Sequence, residues 1–121
     1  MNRSALVAAL AAAGALASDA ALAHAYPKTE TPASGSTIQA APSTVAIEFD
    51  DELVPAFSSM TVQTAAGKSV DSGPSRVAPK DHRHLSVPVH QLSPGTYTVV
   101  WHATDTDTHK TEGRYTFTVK P

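Results

Sequence analysis

The 121-residue sequence contains no cysteine. That removes disulfide frameworks, zinc–thiolate centres and thiol nucleophiles together. An excess of charge of one sign is missing too, since nine Lys and Arg stand against eleven Asp and Glu for a net charge of −2. An electrostatic nucleic-acid binder would carry a basic patch or a high pI. The glycine fingerprint and the roughly 30-residue strand–helix–strand spacing of a dinucleotide-binding enzyme are absent as well. Aromatic residues are few, with three Phe, three Tyr and one Trp, which leaves little for a flat carbohydrate-binding face. Past residue 23 no apolar run approaches the about 20 residues that a spanning helix takes.

What is present begins with an unusual head. Met1-Asn2-Arg3 is a short basic start, Ser4 to Ser18 is an Ala/Leu/Val run interrupted only afterwards by Asp19, and Ala21-Leu22-Ala23 follows. These are the basic region, apolar region and A-x-A ending of a secretory signal. Residues 1–23 are therefore expected to be removed, with an uncleaved anchor as the alternative. Residues 24–121 are then expected as one exported domain of 98 residues (121 − 23), not embedded in a membrane. Cleavage would make His24 the first residue. A free α-amine has a pKa of about 7.7–8, so a metal can displace its proton near neutrality. The amine and the imidazole Nδ1 of that one residue can close a chelate ring, which an internal His cannot do.

The remaining chain reads as short strands between turns, the pattern of an all-β sandwich or barrel. Val45, Ile47 and Phe49 alternate with Ala46 and Glu48, and Met60 and Val62 with Thr61 and Gln63. Leu85, Val87 and Val89 keep the same period, as do Tyr97, Val99 and Trp101, then Tyr115, Phe117 and Val119. Period-two alternation places one set of side chains on a single sheet face. Ala65-Ala66-Gly67-Lys68 and Ser93-Pro94-Gly95-Thr96 have turn chemistry. Nine Pro argue against long helices, and Pro88 within a strand pattern predicts an edge or a bulge. Trp101 is expected as a core anchor between two sheets.

Ligand-bearing residues concentrate in Trp101-His102-Ala103-Thr104-Asp105-Thr106-Asp107-Thr108-His109-Lys110. Asp107 and His109 lie two apart, so in extended chain they project to one side with Cα atoms ~6.5–7 Å apart. With His24 the set becomes two imidazoles, one amine and one carboxylate, a mixed N,O set that suits Cu(II). An exposed, solvated D-x-H loop remains an equal reading of that spacing. Asp105 is an alternative to Asp107, one strand period further from His109. His82-x-His84, preceded by Asp81, offers two imidazoles for a second, weaker ion or simply an exposed pair. His90 and His102 alternate with apolar neighbours and are expected to face solvent.

The residues also resemble a family. His24-Ala25-Tyr26-Pro27-Lys28, Thr31-Pro32-Ala33, Gly35-Ser36, Ala41-Pro42 and Ile47-Glu48-Phe49-Asp50-Asp51-Glu52-Leu53 look like the opening of periplasmic CopC copper-resistance proteins. Leu92-Ser93-Pro94-Gly95-Thr96-Tyr97, Trp101-x-Ala103-x-x-x-Asp107-x-His109 and Gly113-x-Tyr115-x-Phe117-x-Val119 continue the likeness over residues 24–121. The resemblance implies a seven-stranded Greek-key β-sandwich or barrel with an immunoglobulin-like, cupredoxin-like outline. It implies one Cu(II) ion per chain, held by the His24 amine and imidazole, Asp107 and His109. An acidic residue beside the amine corresponds to Asp51, shorter than the usual Glu, or to a plain acidic turn. A Met-rich Cu(I) loop of some members has no counterpart after Met60. The implied role is periplasmic sequestration or shuttling of copper, without turnover. The implied partners are an inner-membrane transporter of the CopD type or another periplasmic copper protein, and no nucleic acid. Two rival readings are a copper monooxygenase with an N-terminal His brace and a metal-free immunoglobulin-like module.

Overall fold

A computed structural model describes residues 24–121, so the expected leader at residues 1–23 lies outside the described residues. The strands are β1 (Pro27–Thr31), β2 (Thr37–Ile38), β3 (Thr44–Phe49), β4 (Ser59–Thr64), β5 (Arg76–Val77), β6 (His84–Pro88), β7 (Gly95–Thr104) and β8 (Lys110–Val119), with one 3-10 turn at Pro55–Phe57. Among the described residues no helix is long and apolar enough to cross a membrane. Two four-stranded sheets result, ordered β1-β3-β6-β5 and β2-β8-β7-β4.

The alternation in the sequence becomes the inner faces of these sheets. Val45, Ile47 and Phe49 of β3, Val62 of β4, Leu85 and Val87 of β6 and Val99 of β7 are wholly buried. Burial of such side chains stabilises by roughly 1.5–3 kcal/mol each. The β3–β6 pair forms the middle of one sheet, while β4 pairs with β7 at the edge of the other. Because β3 leads to β4 and β6 leads to β7, both connections cross between sheets, the interlocked arrangement of an immunoglobulin-like Greek key. The structure has eight strands where seven are expected. Two of the eight, β2 and β5, are only two residues long, and β2 runs parallel to β8.

Trp101 joins the sheets as expected, meeting Phe49 edge-to-face at 5.2 Å and 75°. Its register partner across the hairpin is Gly113, and a Cβ there would lie 2.6 Å from Trp101 Cζ2. The indole thus lies over β8 where only glycine leaves room. The turn at residues 65–68 forms, with the Gly67 amide donating to Thr64 O at 2.9 Å, whereas the chain only bends at Pro94 before Gly95 opens β7. Pro88 corrects an expectation, because β6 is an inner strand and not an edge. Pro88 is its last residue, opposite Thr44 and beyond the reach of β5, and its carbonyl accepts the Ser72 amide at 2.9 Å. At a strand end the missing N–H disrupts little of the ladder.

Tyr115 on β8 is buried, and its hydroxyl has no hydrogen-bond partner among the described residues. Burial, and then the Glu30 carboxylate, push this hydroxyl well above its usual range. A folded-state value above the unfolded one of about 10 gives a contribution that is complete below pH 10 and lost as pH climbs toward the folded value. Tyr115→Phe removes an unpartnered oxygen, so its stability at pH 7 should stay within about 1 kcal/mol of the parent. Urea unfolding should also show a shallower loss of stability above pH 10 in this variant. Equal alkaline slopes in parent and variant would contradict the assignment.

Candidate metal centre

The longest hairpin of the molecule carries the ligand-rich segment. β7 and β8 pair in register from Gly95↔Val119 to Thr104↔Lys110, and residues 105–109 close the turn. Asp105 organises this turn. Its Oδ1 accepts the amides of both Asp107 and His109, each at 2.9 Å. The Asp105 amide donates to His109 O and the Thr108 amide to Asp105 O, both at 3.0 Å. Thr108 takes φ 69° to close the loop, a left-handed conformation that a β-branched residue adopts only when its surroundings impose it.

Asp105 is also where the turn meets the β3–β4 crossover. It is fully buried, bridging to Leu53, while the Val54 amide donates to Thr104 O at 2.8 Å. The Thr104 hydroxyl donates to Phe57 O at 3.0 Å, and the Thr104 amide to the Ser58 hydroxyl at 3.1 Å. The loop is therefore seated on the crossover and not suspended in solvent.

Asp107 and His109 are exposed. They lie on this turn and not on extended chain, so their convergence comes from the Asp105 clasp and not from a strand period. Asp105, Asp107 and His109 each place a ligand atom within 4.8 Å of the others. The distance assigned to Asp105 from strand spacing is corrected accordingly, since its Oδ2 lies 3.4 Å from His109 Nδ1. A side chain that bonds its own turn leaves no periodic trace, although Asp is a residue type that bonds the backbone two positions on in an Asx turn.

His24 arrives at the same place from the other end of the chain. Its ring stacks on that of His109, with centroids 4.6 Å apart and planes at 26°, and lies 6.5 Å from the Tyr26 ring. Three bonds hold the segment. The Thr111 hydroxyl donates to Ala25 O at 2.8 Å, the Tyr26 amide to Asp50 Oδ1 at 2.8 Å, and the Asp50 amide to Tyr26 O at 3.0 Å. Ala25 between them is buried.

The carboxylate that touches the N-terminal segment is thus Asp50. Asp51 turns to its own neighbour, with Oδ1 accepting the Glu52 amide at 2.8 Å. His82 and His84 are not brought together with that centre. His84 Nε2 lies 3.3 Å from Glu48 Oε2 and 3.2 Å from Asp81 Oδ2, whereas His82 sits in the preceding turn, its carbonyl taking the Leu53 amide. His90 and His102 are exposed, as expected, and His102 Nδ1 faces Glu112 across the hairpin at 3.2 Å.

The donor set is therefore imidazole and carboxylate. Met60 offers no thioether to it, being 4% exposed within the core. Nitrogen and oxygen donors of this kind suit Cu(II) better than Cu(I). The buried Asp105 Oδ2 has no hydrogen-bond partner among the described residues and lies 3.4 Å from His109 Nδ1.

Residues 27–120 match the CopC domain. The chain belongs to the CopC family. Copper resistance protein C of Pseudomonas syringae pv. tomato is 38% identical over 128 residues, covering 99% of this chain and 98% of that protein. CopC from Methylosinus trichosporium OB3b has a similar structure, with a TM-score of 0.75 at 28% identity over 81% of this chain and 95% of that one. PcoC, a methionine-rich copper resistance protein from Escherichia coli, gives a TM-score of 0.67 at 32% identity over 81% of this chain and all of its own. Against that relative, this CopC chain has only Met1 and Met60. Its function is a copper-related one, in a family of copper-binding resistance proteins that are not enzymes. The monooxygenase and metal-free readings fall away with that assignment.

Thr111→Val keeps the side-chain shape and leaves the Ala25 carbonyl without its donor. Urea unfolding should show a loss of about 1–2 kcal/mol, with faster amide exchange at Tyr26. No change in either would detach Thr111 from the anchoring of His24.

Proposed function

We propose that this CopC protein is exported to the periplasm, cleaved after Ala23, and binds one Cu(II) ion at its new N-terminus. The His24 amine and imidazole, the Asp107 carboxylate and the His109 imidazole hold the ion. The protein keeps copper sequestered, or passes it to a periplasmic protein or an inner-membrane transporter of the CopD type. The observation that carries this reading is the 4.6 Å stacking of His24 on His109, two residues from Asp107. His24 and a hairpin-turn residue 85 positions away (109 − 24) converge there.

The chemistry follows from the donors. The ion displaces the α-amine proton, so binding strengthens as pH rises toward the amine's ordinary value of about 7.7–8. One residue then supplies two nitrogens of a chelate, and the hairpin turn supplies the other donors. A coordination plane filled by protein groups favours holding over catalysis, because catalytic metals keep an open position. The bound ion stabilises the fold by mass action, about 2.7 kcal/mol at a free concentration 100 times Kd.

Three measurements test this. N-terminal sequencing of the exported protein should read His-Ala-Tyr. Competitive Cu(II) titration should show His24→Ala and His109→Ala each weakening binding by more than the roughly 10–100-fold typical of losing an outer partner. Paramagnetic resonance of the parent should report a tetragonal site with nitrogen couplings. A protein retaining one extra residue before His24 should bind far more weakly; equal affinity in that protein, or in His24→Ala, would overturn the chelate.

A further inference from the structure

We propose that Asp105 is the positioning residue of this copper site: it accepts the proton of His109 Nδ1 and thereby presents Nε2 to the ion. The inference rests on the copper reading above, but its first readout is independent of copper. The carboxylate has no freedom to turn away. Oδ1 is engaged by the Asp107 and His109 amides, each at 2.9 Å, so rotating the group breaks both bonds. Oδ2 is consequently fixed in place. It is buried, lacks any hydrogen-bond partner among the described residues, and lies 3.4 Å from His109 Nδ1.

A buried acceptor without a donor is costly, and a small rotation of the His109 ring brings Nδ1–H onto Oδ2. In a neutral imidazole one nitrogen donates and the other accepts, and the hydrogen bond made by one decides the state of the other. A proton held on Nδ1 therefore leaves the lone pair on Nε2, the nitrogen turned away from Asp105. The same carboxylate also places the Asp107 and His109 backbones. One buried side chain thus fixes where both ligands stand and which imidazole nitrogen binds.

Asp105→Asn separates the two roles. Its amide oxygen can keep accepting both backbone N–H groups, so the turn is retained. Its NH2 then faces His109 Nδ1 as a donor, which makes Nδ1 an acceptor and moves the proton to Nε2. The test is long-range 15N–1H correlation on the metal-free protein beginning at His24, at a pH above the ordinary imidazole range. We expect His109 as the Nδ1–H tautomer in the parent and as Nε2–H in Asp105→Asn. Cu(II) titration of that variant should show roughly 10–100-fold weaker binding, with altered nitrogen couplings in its resonance spectrum. A parent His109 in the Nε2–H form would overturn the proposal, as would an Asp105→Asn variant that keeps both the Nδ1–H form and the parent affinity. If His109→Ala leaves Cu(II) binding intact, the copper reading fails instead, and the metal-free tautomer still judges Asp105. Because the parent measurement needs no substitution, poor folding of the variant does not shield the proposal.

Discussion

A carboxylate removed from water is the constraint on which this end of the molecule is built. Asp105 is fully buried, and burying a charge is unfavourable unless polar partners surround it. The partners here are the backbone amides of its own turn, so the drive to satisfy one side chain shapes five residues of loop. That loop is pinned to the β3–β4 crossover through Leu53 and Val54. The left-handed Thr108, the placement of Asp107 and the stacking of His109 on His24 all follow from a loop that has nowhere else to go.

The sandwich beneath contributes stiffness and address. Edge-to-face packing of Phe49 on Trp101 joins the sheets, and β7 and β8 extend as the longest pair to carry the loop at one end. The N-terminal segment reaches the same end because β1 pairs with β3, and β3 leads directly into Asp50. His24 and His109, far apart in sequence, meet through ordinary strand pairing.

Much of this was legible in the residues, for identifiable reasons. β3, β4, β6, β7 and β8 each repeat apolar side chains with period two, and a half-buried strand imposes that period. β1, Pro27–Thr31, has no such pattern because its side chains are exposed or only partly covered, and β2 and β5 are too short to show one. His24, Asp107 and His109 stood out by residue type and by likeness to a family. Their geometry did not, since an extended D-x-H and a turn-borne D-x-H have the same spelling. Asp50 and Asp51 are neighbours with the same side chain, and only the path of the backbone decides which one meets Tyr26. Strand spacing puts Asp105 too far from His109, because residues 105–109 form a turn.

The segment His24–Tyr26 is fastened to the rest by Ala25 in its niche and by the bonds through Thr111 and Asp50. None of these belongs to the pairing between the central strands. Peeling the segment back would separate the two histidines and leave both sheets intact, a local opening far smaller than unfolding. The hem of this sandwich is therefore held by a few side chains along one seam, and its opening is set apart from the core, which stays as stable as its packing allows.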